Sequence, residues 1–252
     1  MADNKKIYFL SDFHLGASYF TTPREKEMNV VRFLDSIKHD AAEIYLLGDI
    51  LDYWYEYKYV VPRGFTRFFG KVAELSDLGI KIYWFIGNHD IWIFDYIPTE
   101  LGVEVIDGTV IKEIRGKKFF LAHGDGVGNQ KWTFRAMRAL FRNKFAQFLY
   151  SGIHPRWTIP FALNWSRSSR ANDEYPKYAG EGKEFLEEFA KSYNEQDIDI
   201  FMFGHRHIML DKEIASNKRV IILGDWIHFN SYAVFDGEKI SLERFKVGEK
   251  KD

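Results

Sequence analysis

Five short stretches of this sequence carry side-chain types that can hold divalent metal ions. They are Ser11-Asp12-Phe13-His14, Gly48-Asp49, Gly87-Asn88-His89-Asp90, His123-Gly124-Asp125 and Gly204-His205-Arg206-His207. Carboxylate, carboxamide and imidazole donors with no thiolate suit Mn²⁺, Fe²⁺ or Zn²⁺ in open coordination. Seven candidate donors (Asp12, His14, Asp49, Asn88, His123, His205 and His207) are too many for one closed tetrahedral site and fit two ions sharing an Asp. Two such ions, roughly 3.5–4 Å apart, polarise a phosphoryl oxygen and hold a bridging hydroxide, so no protein nucleophile is needed. The chain has neither a Cys nor a Gly-x-Ser-x-Gly elbow. In Asp-x-His and His-x-His, a spacing of two puts both donors on one side of an extended backbone. Gly before Asp49, Asn88 and His205 permits close approach and unusual φ. A lone Asp after a strand is usually a helix cap, and a lone His a satisfied polar group. Five such elements in order, each after an apolar run, argue against coincidence.

The elements that must position these groups read as strands and helices in alternation. Residues 7–10, 44–47 and 80–86 are short Ile-, Tyr- and Phe-rich runs, each ending at Ser, Gly or Asp. Between them, 25–36 and 65–78 carry apolar residues at helical spacing. Residues 103–106, 110–114 and 118–122 read as shorter strands, and 198–203, 219–223, 232–235 and 240–245 as later ones, with Asp236-Gly237 as a hairpin turn. This order predicts an α/β sandwich with helices outside.

Composition narrows the function. The 252 residues include no Cys, 35 Lys+Arg against 36 Asp+Glu, and 17% aromatics, which excludes a disulfide framework, thiolate chemistry and intrinsic disorder. A net charge of −1 argues against a general polyanion binder, and no nucleic-acid partner is expected. The polar start Met1-Ala2-Asp3-Asn4-Lys5-Lys6 has no signal-like apolar stretch, and no run approaches membrane-spanning length, so a cytoplasmic location is expected.

Charge is unevenly placed, however. His123 and His205 lie 82 positions apart, and within that interval residues 131–170 hold eight Lys and Arg, nine aromatics and no Asp or Glu. Along 131–149, Phe134, Met137, Phe141, Phe145 and Phe148 form one helical stripe, and Lys131, Arg135, Arg138 and Arg142 another about a quarter turn away. Pro155 and Pro160 are expected to interrupt the helix, with a second starting near Phe161. An insertion between metal-ligand strands rises beside the site. We expect a lid that takes acyl chains and touches the membrane surface, with Arg135 and Arg138 meeting phosphates. Tyr53, Trp54, Tyr55, Tyr57 and Tyr59 form an aromatic run suited to the core or to a rim of the site.

The five motifs together resemble the complete signature of the calcineurin-like metallophosphoesterases. Within them, Gly48-Asp49-Ile50-Leu51-Asp52-Tyr53-Trp54, the length and place of the middle segment, Ser168 and Asn172 in their Ser-Arg-Ala-Asn context and Leu223-Gly224-Asp225-Trp226 resemble the UDP-2,3-diacylglucosamine pyrophosphatases of lipid A synthesis. The resemblance implies one domain over 1–252, a four-layer α/β/β/α sandwich of two mixed sheets, and a helical lid at about 129–180. It implies one ion on Asp12, His14, Asp49 and His207 and another on Asp49, Asn88, His123 and His205, with Mn²⁺ the first expectation. His89, with Asn88, would be catalytic by stabilising transition-state charge or protonating the leaving oxygen, while Ser168 and Asn172 would help bind substrate. Two departures stand out: His89 replaces an Arg common in that subfamily, and Lys131 replaces an acidic residue. The implied reaction cleaves UDP-2,3-diacylglucosamine to UMP and 2,3-diacylglucosamine 1-phosphate at the inner membrane. The competing readings are a phosphodiesterase or nucleotidase for a less lipophilic phosphoester, and a non-catalytic membrane scaffold. Oligomeric state is not legible.

Overall fold

The computed structural model describes residues 5–17, 22–128, 132–170 and 177–246, with 165–170 as backbone. The first sheet takes β1 (Lys6–Leu10), β2 (Ala41–Leu47), β3 (Lys81–Phe85), β4 (Glu104–Ile106), β10 (Ser231–Phe235) and β11 (Ile240–Arg244) in the order β11-β10-β1-β2-β3-β4. The second takes β5 (Val110–Ile114), β6 (Lys117–Ala122), β7 (Ile200–Phe203), β8 (Met209–Ala215) and β9 (Lys218–Leu223) in the order β5-β6-β7-β9-β8. Both sheets are mixed. The first runs β1, β2, β3 and β4 parallel, with β10 antiparallel to β1 and β11. The second runs β6, β7 and β9 parallel between antiparallel β5 and β8.

Strand alternation sorts the apolar residues into layers. Ile7, Phe9, Tyr45, Leu47 and Phe85 face Phe119, Leu121, Met202 and Leu223 between the sheets, with Phe9 stacked on Phe119 at 5.5 Å between ring centroids. Their neighbours Tyr8, Leu10, Ile44, Leu46 and Trp84 turn outward under α1 (Pro23–Ile37), α2 (Thr66–Asp77) and α3 (Tyr96–Leu101). On the other side Phe120, Phe201 and Phe203 pack under Leu186 and Ala190 of α7 (Phe185–Ser192). The result is the expected four-layer α/β/β/α sandwich. Thr22 and Glu25 close a capping box at the start of α1, with Pro23 at the first turn.

Three further helices lie between β6 and α7: α4 (Trp132–Arg142), α5 (Lys144–Ser151) and α6 (Pro155–Arg170). Two expectations are corrected here. The single helix predicted over 131–149 breaks at Asn143, whose extended backbone (φ −71°, ψ 119°) ends α4 and whose side chain accepts hydrogen bonds from the amides of Phe145 and Ala146 to cap α5. Phe145 and Phe148 therefore leave the stripe of Phe134, Met137 and Phe141 and are exposed. Pro155 opens α6 instead of interrupting it, and Pro160 sits inside the helix. The carbonyl that Pro160 cannot reach belongs to exposed Arg156, where water can take it. β8, α3 and α7 are additional to the elements read from sequence.

The insertion is fastened to the body largely by the aromatic run after Asp49. Tyr53 Oη pairs with Tyr150 Oη at 3.0 Å, Tyr55 Oη donates to the Gln147 carbonyl at 2.8 Å, and Tyr57 Oη pairs with Thr158 Oγ1 at 2.7 Å. Trp92 Nε1 donates to the Phe141 carbonyl at 2.8 Å. Trp54 instead is wholly buried in the core. The run divides: Tyr53, Tyr55 and Tyr57 hold the insertion, Trp54 holds the body, and Tyr59 is exposed.

Candidate metal centre

The seven predicted donors converge where parallel strands of both sheets end. β1 delivers Asp12 and His14, β2 Asp49, β3 Asn88, β6 His123, and β7 His205 and His207. The loops are stitched together: the amides of Asp12 and His14 donate to the carbonyls of Gly48 and Asp49 at 3.1 and 3.0 Å, and that of Gly204 to His123 at 2.9 Å. The backbone reason expected for Asp-x-His and His-x-His is corrected. Asp12, His14, Asp49, His205 and His207 have φ of 54°, 44°, 54°, 66° and 52°, in the left-handed region. The donors are aimed by left-handed turns after the strands, each costing on the order of 1 kcal/mol or more and sustained by the surrounding contacts. The glycines act as read: a Cβ at Gly204 would lie 2.6 Å from both Asp12 Oδ2 and Ser11 Oγ, and one at Gly48 2.6 Å from His123 Nδ1.

The donors form two overlapping groups. In one, Asp12 Oδ1 lies 3.6 Å from His14 Nε2 and 3.3 Å from His207 Nε2. In the other, Asp49 Oδ2 lies 3.3 Å from His123 Nε2, and Asn88 Oδ1 lies 3.2 Å from His123 Nε2 and 3.0 Å from His205 Nδ1. Asp49 Oδ2 is also 3.6 Å from His14 Nε2, which joins the groups. Asp12 Oδ1 is buried without a hydrogen-bond partner, an arrangement that a cation would satisfy and that few neutral occupants would. The residues fit a pair of divalent ions.

Electrostatics point the same way. Burial pushes the Asp12 carboxyl up. Burial also opposes ionisation of Asp49, yet His123, His89 and His14 beside it hold that carboxyl well below its ordinary range. Burial disfavours charge on His123, but Asp49 raises its imidazole well above the usual value. Burial, with His123 nearby, lowers His205 to about 3, leaving a neutral ligand. Asp49 and His123 thus favour a proton between them, which a cation binding there would displace.

Several residues to which the sequence reading assigned no separate role support the donors. Asp52 Oδ1 faces His14 Nδ1 at 3.3 Å, the Leu47 carbonyl takes His123 Nδ1 at 2.8 Å, and Asp225 Oδ2 faces His207 Nδ1 at 3.0 Å. Each fixes which ring nitrogen is left for an ion. Asp225 Oδ1 accepts from the amides of Ile227, His228 and Phe229, and Oδ2 also meets His228 Nδ1 at 2.9 Å. Asp90 accepts from the amides of Asp49, Ile50 and Gly87 and from Trp84 Nε1. Arg206 forks onto buried Glu184 at 2.8 and 3.1 Å, bracing the loop between His205 and His207. The available signal was an acid three residues after Asp49 and another after Gly224.

His89 is half-buried beside the donors. Its amide donates to Asp49 Oδ1 at 2.8 Å and its Nδ1 faces the Asp52 carbonyl at 2.9 Å. From Asn88 and His89 a cavity of about 460 Å³ runs under the insertion, walled by Phe134, Met137, Leu140, Phe141, Tyr150 and Phe161. Arg138 lines it and is held by Asp125 Oδ2 at 3.0 Å. Arg135 is exposed and does not line it. Ser168 lies on the described backbone of α6, while Asn172 and Lys131 lie outside the described residues.

The model of the calcineurin-like phosphoesterase family matches residues 5–209. The chain is 46% identical to UDP-2,3-diacylglucosamine hydrolase of Porphyromonas gingivalis, over 94% of this chain and 97% of that one. It is 23% identical to the protein of the same name from Histophilus somni, over 88% of this chain and 92% of the relative. Among solved structures, a dimetal phosphatase from Danio rerio overlays with a TM-score of 0.47 at 12% identity, covering 96% of each chain.

Proposed function

The chain belongs to the calcineurin-like phosphoesterase family, and on that premise we propose that it hydrolyses the pyrophosphate bond of UDP-2,3-diacylglucosamine to UMP and 2,3-diacylglucosamine 1-phosphate. The observation that carries the substrate class is the apolar cavity opening on Asn88 and His89. A metal site alone serves any phosphoester, whereas a 460 Å³ apolar chamber beside it serves a substrate with hydrocarbon chains.

Asp12, His14, His207 and Asp49 would hold one ion in this reading, and Asp49, Asn88, His123 and His205 the other, with Mn²⁺ the first choice and Fe²⁺ or Zn²⁺ compatible with the donors. Bound there, the ions supply Lewis acidity toward phosphoryl oxygens and activation of water at neutral pH. The protein does the rest. With Nδ1–H donated to the Asp52 carbonyl, His89 turns Nε2 toward the reacting phosphate, where it stabilises charge or protonates the leaving oxygen. Arg138, oriented by Asp125, offers its remaining N–H groups to phosphate at the mouth of the cavity. The cavity walls take the acyl chains and exclude water from them.

The insertion also exposes Trp132, Phe145, Phe148, Leu149 and Trp157. No helix among the described residues is long and apolar enough to cross a membrane. In this reading that face rests on the cytoplasmic surface of the inner membrane, where the substrate resides. The test is release of UMP from UDP-2,3-diacylglucosamine by purified protein with Mn²⁺, abolished by Asp49→Ala with the fold intact by circular dichroism. Failure to release UMP, or equally fast turnover of a short, water-soluble diester, overturns the proposed substrate.

A further inference from the structure

Resting on that membrane reading, we infer that the turn at residues 57–63 is a second membrane-contact element, belonging to the body of the protein and joined to the insertion. The Tyr57 amide donates to the Val60 carbonyl at 3.1 Å, closing a tight turn with Lys58 and Tyr59 at its tip. Tyr59 is 85% exposed and Val60 54%, while the next two residues turn inward, Val61 against the core and Pro62 buried. The base of the turn is thus fixed, and its apolar tip is held in solvent.

Its position decides what the tip is for. Tyr57 Oη bonds Thr158 Oγ1 at 2.7 Å, so the turn is docked against α6 beside Trp157, itself 71% exposed. Tyr59 is two residues from one partner of that bond, and Trp157 is adjacent to the other. Two exposed aromatics, about a hundred residues apart in the chain, thus flank the bond that ties the turn to α6. Charge follows the same border. Neither residues 57–73 nor residues 131–170 contain an Asp or Glu, in a chain whose net charge over all residues is −1. Lys58 and Arg63 flank the exposed tip, and Lys144 and Arg156 flank the exposed aromatics of the insertion. Lys58 Nζ lies 5.2 Å from the centre of the Tyr59 ring, so cation and aromatic are presented together. An aromatic tip framed by cations, with no carboxylate to repel phosphate, matches the interfacial zone of an anionic bilayer. The occupant is therefore a lipid surface.

The chain has no Cys, so Tyr59→Cys carries a single environment-sensitive fluorophore. Vesicles of phosphatidylcholine with phosphatidylglycerol should shift the label to shorter wavelength, and a label at Glu238, on the far hairpin, should not respond. In co-sedimentation with the same vesicles, Lys58→Ser and Arg63→Ser should each weaken binding about fivefold, and Tyr59→Ser should weaken it further. Turnover of a water-soluble diester should be unchanged in all three. If Phe148→Ser reduces vesicle binding while the turn variants and the label do not respond, this inference is overturned and the membrane reading stands. If the unaltered protein sediments with neither anionic nor phosphatidylcholine vesicles, the membrane reading fails and takes the inference with it.

Discussion

Replacing Asp225 with Asn exchanges one carboxylate oxygen for an NH₂ group and should cost one metal ion. Asp225 is wholly buried, and its Oδ1 sits in a cradle of three amides at 3.1, 2.7 and 3.2 Å. Asn fills the same volume and keeps that cradle, which leaves its NH₂ where Oδ2 now takes His207 Nδ1 at 3.0 Å and His228 Nδ1 at 2.9 Å. Two donors then face each other. His207 relieves the clash by moving its proton to Nε2, the atom 3.3 Å from Asp12 Oδ1 that must carry the lone pair for an ion. Lost support of this kind weakens metal binding roughly 10- to 100-fold, about 1.4–2.8 kcal/mol. The ion on Asp49, His123 and His205 keeps all its donors. Metal content measured by mass spectrometry after dialysis against defined free Mn²⁺ should fall from two ions per chain toward one, with UMP release falling in step. Burial alone would raise the Asp225 carboxyl, but hydrogen bonds from His207 and His228 hold it well below its ordinary value. Its stabilising contribution is therefore present above the usual carboxylate pKa and lost as pH falls below it, so Asp225→Asn should flatten the acid limb of the Tm–pH curve. Two ions bound at unaltered affinity in Asp225→Asn would refute the argument.

Other perturbations separate the supports of the site. Gly204→Ala places a Cβ 2.6 Å from Asp12 Oδ2 and Ser11 Oγ; it should lower stability by about 1–3 kcal/mol and deplete bound metal, read by denaturant titration and metal analysis. Arg206→Lys replaces a two-pronged contact on Glu184 with a point donor, and because its neighbours His205 and His207 serve different ions, affinity at both sites should drop together by about tenfold in calorimetric titrations. Glu187 lies away from the site. Burial would raise its carboxyl, but hydrogen bonds from Lys191, Lys212 and Tyr178 lower it to about 2. That stability is present above the ordinary value of 4.5 and lost as pH falls toward 2, so Glu187→Gln should lower Tm at pH 7 by an amount equivalent to about 1–2 kcal/mol and narrow the gap to the parent protein in acid.

The candidate donors were legible because each follows an apolar strand within four residues, and parallel strands carry such positions to one end of the sandwich. The reason given for their aim was not legible: φ values of 44–66° at Asp12, His14, Asp49, His205 and His207 depend on contacts between loops, which local propensity does not encode. Asn143 was overlooked because the helical pattern of aromatics runs through it, and its capping bond to Phe145 and Ala146 competes with that pattern. Pro160 was read as a break, although exposure of Arg156 makes the missing hydrogen bond tolerable. β8 sets three consecutive charged residues, Asp211, Lys212 and Glu213, between apolar pairs at a sheet edge, and α3 and α7 span only six and eight residues, so each gave a weak periodic signal. Asp52 and Asp225 stand in motifs that carry the family resemblance, but their support of the His14 and His207 imidazoles depends on packing between loops distant in sequence.

The tyrosines that fasten the insertion bear on how such a protein diversifies. Its contacts with the body at Tyr53, Tyr55 and Tyr57 run through hydroxyl groups, while the strand-end loops with the metal donors are stitched chiefly to one another. The outer parts of the insertion can therefore be lengthened, shortened or exchanged with little effect on the donors, provided partners remain for those hydroxyls and the positions of Phe134 and Arg138, which meet His205 and Asp125, are kept. Chemistry and substrate choice are then separately heritable. A chimaera that keeps the body and takes the three insertion helices from a relative should inherit its metals from one parent and its preferred acyl length from the other.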